Sequence, residues 1–299
     1  MFRHRAIILL IILLLPVLSS CSNTNAISPA INSYDTLRVK VLFLVEVPSV
    51  SVSPGSVELL ILDEVTGLAL NPTSIKMQKR DDTHFSVEIE INLGSVIKYR
   101  YVKSGVIPIM EVGTDDEYIR YRMAVVDTPM TIYDTVPAWE DFSYQGDTGK
   151  IDGSVVDIIT NVPVPNVMVN AAGRTSITAS DGSFTLNGLP SGTHNLVAYT
   201  MDGSYLPFQQ GARVETGLTT PAEIKVTPGQ LVNITFLLNA PSEYSGFPVR
   251  LAGNIIQLGN TFTDLAGGIS VTAARMPIMA GLEDGRRYLT ISVSSGTYI

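Results

Sequence analysis

The sequence predicts an all-β chain of β-sandwiches in series, on three observations. Short alternating or continuously apolar runs recur between turn residues about every 8–12 positions, the strand spacing of sandwiches. Glycine (24) and proline (17) are plentiful in the 299 residues, while charged residues make up only 16%, a balance that favours turns and pleated surface over helix. No segment of ordinary helix length carries a 3.6-residue apolar period. The length bounds the chain at two or three domains.

The first segment is not part of any sandwich. Arg3 and Arg5 precede an unbroken apolar run from Ala6 to Leu18, followed by Ser19, Ser20 and Cys21. A basic start, an apolar stretch and small residues at a cleavage point are the layout of a secretory signal. About 13 apolar residues fall short of the roughly 20 a helix needs to cross a bilayer. Leu18-Ser19-Ser20-Cys21 resembles the lipobox of bacterial lipoproteins. That resemblance implies a signal peptide over 1–20, cleavage before Cys21, a diacylglyceryl group on the Cys21 thiol and acylation of the new amino terminus. It places the protein outside the cytoplasm, lipid-anchored at the cell membrane or cell surface. Cys21 is the only cysteine, so once it is lipidated no thiol remains for a disulfide, a nucleophile or a metal site.

Residues 21–36 are small, polar and without period, and read as a tether. A first sandwich is expected over 37–141. Leu37 to Val45 alternates and then turns apolar, Val57 to Leu62 is a buried-type run, and Phe85 to Ile91 alternates cleanly. Ile97 to Val102 follows, with Asp127 to Tyr133 as closing strand. A second sandwich is expected over 149–240. Asp181-Gly182 reads as a tight hairpin turn whose residues both tolerate positive φ. Gly188 to Gly192 makes another turn, and Leu231 to Leu238 is the expected closing strand. A third unit spans 246–299. Its Met279 to Ile299 aligns without gaps to Met77 to Ile97, with Met77/Met279, Asp82/Asp284, Ile89/Ile291, Gly94/Gly296 and Ile97/Ile299 identical, which points to an internal repeat. The strand that follows Ile97 has no counterpart after Ile299, so the third sandwich is expected to be incomplete and the chain to be the N-terminal portion of a longer protein.

The middle unit resembles the carboxypeptidase regulatory-like domain through Gly153 to Asp157, Val162 to Val169, Thr178 to Leu186 and Gly188 to Thr193. The resemblance implies a small transthyretin-like or immunoglobulin-like sandwich without catalytic residues, serving as a spacer or docking module. The first and third units resemble starch-binding modules. Gly253 to Asn260 carries a glycine-flanked turn of that kind, and Ile97-Lys98-Tyr99-Arg100-Tyr101 matches a strand of the family. The tryptophan expected after the turn is replaced, since Asn260-Thr261-Phe262 stands there.

Sugar binding needs flat aromatic rings flanked by amides and hydroxyls. Tyr99 and Tyr101 lie two apart and share a strand face, so they form either a stacking platform or part of a sandwich core. Trp139, the only tryptophan, is either an exposed platform or a plug at the domain base. Enzyme signatures are missing: beyond the signal the histidines are His84 and His194, and no nucleophile elbow, zinc-protease, P-loop or dinucleotide motif occurs. No catalytic residue, cofactor or metal site is expected. The clusters Asp81-Asp82 and Asp115-Asp116-Glu117 lack calcium-loop spacing and read as solvated tips. The net charge of −8 becomes about −10 without the signal, which disfavours nucleic acid as a partner. The expected function is a lipid-anchored surface protein that binds an α-glucan without cleaving it. The alternatives are a structural display or adhesion stalk that binds protein partners, and the non-catalytic part of a longer glycan-active enzyme.

Overall fold

Alternating apolar residues close the first sandwich as the pattern requires. A computed structural model describes residues 37–49, 56–62, 72–200, 202–241, 246–253, 256–259 and 276–294. The signal segment, Cys21, the tether to Thr36 and the end from residue 295 lie outside the described residues. The first ten strands are β1 (Arg38–Glu46), β2 (Val57–Ile61), β3 (Thr73–Lys76), β4 (Gln78–Lys79), β5 (His84–Asn92), β6 (Ser95–Lys103), β7 (Ile109–Val112), β8 (Arg122–Val126), β9 (Met130–Thr135) and β10 (Ala138–Trp139). One sheet has the order β4-β5-β1-β9, the other β10-β7-β6-β2-β3 with β8 also paired to β6. Strand β1 is antiparallel to β5 and parallel to β9. Val41, Phe43 and Val45 from one sheet meet Leu59, Ile97, Tyr99 and Tyr101 from the other in a closed core, as alternate residues of facing sheets must.

Seven strands follow: β11 (Gly149–Asp157), β12 (Val167–Ala171), β13 (Arg174–Ile177), β14 (Ser183–Leu189), β15 (Gly192–Thr200), β16 (Phe208–Val214) and β17 (Thr219–Val226). They form the sheets β14-β11-β17 and β13-β12-β15-β16 around Ile151, Val155, Val169, Leu186, Leu196 and Ile224. The Asp181-Gly182 turn differs from its reading as a hairpin, because β13 and β14 belong to different sheets. Only Gly182 takes a positive φ, 75°. Asp181 instead accepts hydrogen bonds from the Ser183 backbone N–H (3.0 Å) and hydroxyl (2.6 Å). A Cβ on Gly182 would lie 2.6 Å from the Val155 carbonyl oxygen, so the corner requires glycine twice over.

The last strands correct one expectation. Strand β18 (Leu231–Leu238) does not close the middle sandwich; it pairs along its whole length with β20 (Arg287–Ser294), and β19 (Ala280–Gly281) completes the order β18-β20-β19. The repeat in sequence is a repeat in structure over the described residues. Ala280↔Tyr288 and Gly281↔Arg287 stand in the register of Gln78↔Ser86 and Lys79↔Phe85, at the offset that sets Met279 on Met77.

Two strands break the alternation rule, and their positions explain it. All five residues of β8 and all five of β12 are buried. A strand is apolar on both faces when both faces are covered. The second cover is the neighbouring sandwich: Leu62, Val96, Tyr121, Met123 and Val125 of the first pack against Met168, Val197 and Tyr199 of the second.

Candidate functional site

The predicted platform is in the core. Tyr99 and Tyr101 are 0% exposed and Trp139 1%. A pyranose stacks only on a ring with an open face, so these side chains are core residues and not a carbohydrate platform; of the two roles open to them, the structure gives the bland one. Strand β6 turns both tyrosines inward, and their rings meet edge to face at 6.0 Å. Tyr99 meets Phe43 in the same way at 5.1 Å.

What the two tyrosines touch was not legible beforehand. Both phenol hydroxyls donate to Asp134 Oδ2, at 2.9 and 2.8 Å. Arg122 Nη1 donates to Asp134 Oδ1 at 3.0 Å, and Nη2 donates to Glu111 Oε2 at 2.8 Å and to the Thr135 carbonyl at 2.9 Å. The Tyr101 backbone N–H donates to Glu111 Oε1 at 2.9 Å. Arg122 lies 5.5 Å from the Tyr101 ring centroid, a cation–π distance. Burial alone would lower the Arg122 guanidinium; Glu111 and Asp134 outweigh it and hold the pKa above the ordinary value. Burial, and then the Asp134 charge, push both tyrosine hydroxyls well up. Burial likewise raises Glu111 against the pull of Arg122. Perturbed groups often mark active sites, but structural ion networks perturb them equally; here Tyr99, Tyr101, Glu111 and Arg122 are at most 1% exposed, and Asp134, at 7%, borders an open groove. The cluster is a satisfied internal brace between β6, β7, β8 and β9.

The histidines play local roles. His194 is buried and its Nε2–H donates to the Pro190 carbonyl at 2.7 Å. Burial lowers its pKa from the ordinary 6.5. A base with a lowered folded-state pKa takes up its proton more readily when unfolded, so its neutral form contributes stability above about 6.5 that is lost as pH falls. Denaturant unfolding between pH 7.5 and 5 is expected to show this loss, reduced in a His194→Gln variant. Asp81 caps its own turn, accepting from the backbone N–H groups of Thr83 (2.9 Å) and His84 (2.8 Å). The Thr83 amide first, then the His84 imidazole at 2.9 Å, lower its pKa to about 2. Asp115 pairs with Arg174 of the middle sandwich, and Asp116 accepts from the Ser143 hydroxyl at 3.0 Å. Among the described residues no three His, Cys, Asp or Glu side chains converge as a metal site.

The remaining specific feature is the seam. Gln209 of β16 clasps Val125 of β8 with both ends of its amide: Oε1 accepts from the Val125 N–H at 2.8 Å, and Nε2 donates to the Val125 carbonyl at 3.3 Å. Asn195 Nδ2 donates to the Met123 carbonyl at 3.0 Å, and the Thr114 hydroxyl to the Gly188 carbonyl at 2.6 Å. With the Arg174–Asp115 pair, these bonds ring the apolar cluster of Tyr121, Met123, Val125, Met168, Val197 and Tyr199. Beside the seam lies an open groove of about 620 Å³ lined by Glu46, His84, Tyr133, Thr135, Ser191 and Thr193. The sequence signal for the seam was the loss of alternation in β8 and β12.

Comparison with known proteins agrees with part of this account. Residues 150–239 match the carboxypeptidase regulatory-like domain, so the middle of the chain carries such a domain. The match runs through β18, whose strand partner β20 nevertheless lies in the third unit. No curated protein matches the chain in sequence. Among solved structures the chain is similar to the shaft pilin SpaA from Lactobacillus rhamnosus GG, at 9% identity over 66% of this chain and 100% of that one, TM-score 0.24. It is similar to the minor pilin GBS52 of Streptococcus agalactiae at 13% identity over 68% and 98%, TM-score 0.24. A streptococcal ancillary pilin gives 12% identity over 85% and 87%, TM-score 0.27. Similarity this low leaves the function to be read from the chain's own geometry.

Proposed function

We propose that the protein is a non-catalytic display stalk at the cell surface, with its sandwiches acting as a rigid spacer. The observation that carries this reading is the seam. Domains joined only by a linker move relative to one another, and fixed geometry needs a well-packed apolar interface. Here an apolar centre is ringed by hydrogen bonds from three elements of the second sandwich. A carboxypeptidase regulatory-like domain suits the role, since its family brings no catalytic residues of its own.

Lipid anchoring through Cys21 completes the stalk. Two or three acyl chains suffice, at about 0.8 kcal/mol for each buried methylene. Expressed in a bacterium fed labelled palmitate, the chain is expected to take up label and stay with the membrane. The Cys21→Ser variant is expected to lose both properties, and label retained by that variant contradicts the anchor.

Binding of an α-glucan is a second reading, favoured by one observation. Tyr133 is 62% exposed at the groove beside the seam, with hydroxyls of Thr135, Ser191 and Thr193 around it, the ring-plus-hydroxyl arrangement that the buried tyrosines cannot supply. Retention on immobilised starch that disappears in Tyr133→Ala supports it; elution in the void volume contradicts it.

A further inference from the structure

Asn187-Gly188 is the only asparagine–glycine step in the sequence. An asparagine side-chain amide is open to attack by the backbone nitrogen of the following residue, and a side chain on that residue stands in the way. Glycine has none, and it reaches backbone conformations closed to other residues. The fold adds to what the dipeptide supplies. Asn187 is exposed on β14, and Gly188 holds a φ of 67°. Where β14 runs beside β11, Leu186 pairs with Ile151 and Leu189 with Gly149, so Asn187 and Gly188 together stand against Lys150 alone. That is a β-bulge, in which the ladder that would hold the backbone in regular extended form is broken. The pair borders an open groove of about 290 Å³ lined also by Thr148, Lys150 and Thr219, which admits water.

The same two residues bear on the seam. The Gly188 carbonyl accepts from the Thr114 hydroxyl of the first sandwich at 2.6 Å. A Cβ on Gly188 would lie 3.1 Å from the Thr114 oxygen and 3.7 Å from Arg174 Nη2. On either side, Leu186 and Leu189 are held in the core of the middle sandwich. A change in main-chain length between these two anchors therefore falls on Asn187 and Gly188, where Thr114 and Arg174 already fill the seam side.

We propose that Asn187 converts spontaneously to aspartate and isoaspartate, and that the isoaspartyl form loosens the seam between the first and middle sandwiches. The Gly188 backbone nitrogen attacks the Asn187 side-chain carbonyl carbon. The new N–C bond closes a cyclic imide as the bond to Nδ2 breaks, and Nδ2 leaves as ammonia with the proton from the Gly188 N–H. Water then opens the imide at one of its two carbonyls, and nothing is oxidised or reduced. Opening at the side-chain carbonyl gives aspartate. Opening at the main-chain carbonyl gives isoaspartate, in which the chain reaches Gly188 through the side chain and is longer by one methylene. That methylene moves the Gly188 carbonyl off Thr114. The attacking nitrogen sheds a proton, so the conversion speeds up as pH rises.

The test holds the full chain in mildly alkaline, heavy-oxygen water and follows the peptide containing Asn187 by mass spectrometry. This peptide is expected to gain the mass of an amide-to-acid exchange with one labelled oxygen. The gain should be at least tenfold faster than at Asn161 and Asn166, which are also exposed but precede valine. The Asn187→Gln variant is expected to stay unchanged there. Amide hydrogen exchange then reads the seam at Val125, whose N–H donates to Gln209 across it at 2.8 Å. Exchange at Val125 should be faster in the converted chain than in the fresh one. Freshly prepared Asn187→Asp, which carries the charge without the methylene, should keep the fresh rate. Four results would overturn the proposal: conversion in urea but not in the folded chain, conversion no faster than at Asn161 and Asn166, an unchanged Val125 amide after conversion, or an Asn187→Asp variant that exchanges as fast as the converted chain.

Discussion

Arg122→Ala is expected to unfold the first sandwich under conditions where the intact chain is folded. Removing one partner of a buried ion pair leaves uncompensated charge in a dry interior, at a cost of about 3–5 kcal/mol. A domain holds only about 5–15 kcal/mol in total. Here the loss is compounded, because Glu111 and Asp134 both turn on the same guanidinium and would face each other unscreened. The Thr135 carbonyl loses its donor as well. Asp134 would retain its two tyrosine hydroxyls, Glu111 only the Tyr101 amide and whatever proton it captures. Urea unfolding followed by tyrosine and tryptophan fluorescence measures the effect, since Trp139 reports on this core. Arg122→Lys should fall between wild type and Arg122→Ala, because an ammonium cannot reach both carboxylates in the fixed fork of a guanidinium. Wild-type stability in Arg122→Ala would show that the cluster is not the brace described.

Val197→Asp is expected to part the first two sandwiches without unfolding both. Val197 lies on β15 with its side chain in the seam and is fully buried, while its neighbours Leu196 and Ala198 face the core of the middle sandwich. A carboxylate at this position is set among apolar side chains, with the cations Lys98 and Arg120 engaged on the Tyr121 ring of the same cluster, and burying it there costs several kcal/mol. Undocking relieves that cost by letting the carboxylate reach water. In the wild type the shared cluster couples the two units, so calorimetry should show them melting together. In the variant the first and middle sandwiches should melt as two separated transitions. A single unshifted transition in Val197→Asp would contradict the coupling.

Residues whose role depends on one strand and its sheet were legible in the sequence. The alternation of Phe85 to Ile91 gives β5, and the gapless match of Met279 to Met77 gives β19 and β20 in the observed register. Residues whose role depends on a second layer were not. Tyr99 and Tyr101 share a face by strand geometry, but which face is buried is set by β1 and β9, distant in sequence. Arg122, Glu111 and Asp134 look like surface charges until three strands bring them together. Leu231 to Leu238 reads equally well as the last strand of one sandwich or the first of the next, because a strand pattern does not state its partner. The uninterrupted burial of β8 and β12, Arg122 and Asn170 included, is explained only by a second sandwich.

The rigid spacer is tested most directly by a distance between the two sandwiches. Cys21 is the only native cysteine, so spin labels can be placed cleanly on a Cys21→Ser background at Glu90→Cys in the first sandwich and Glu223→Cys in the second, both on exposed positions. Pulsed dipolar spectroscopy in frozen solution then reads the distribution of separations. One narrow distance, broadened when Val197→Asp is added, is the result expected of sandwiches fixed by the seam. A broad or multiple distribution in the Val197 background would contradict it.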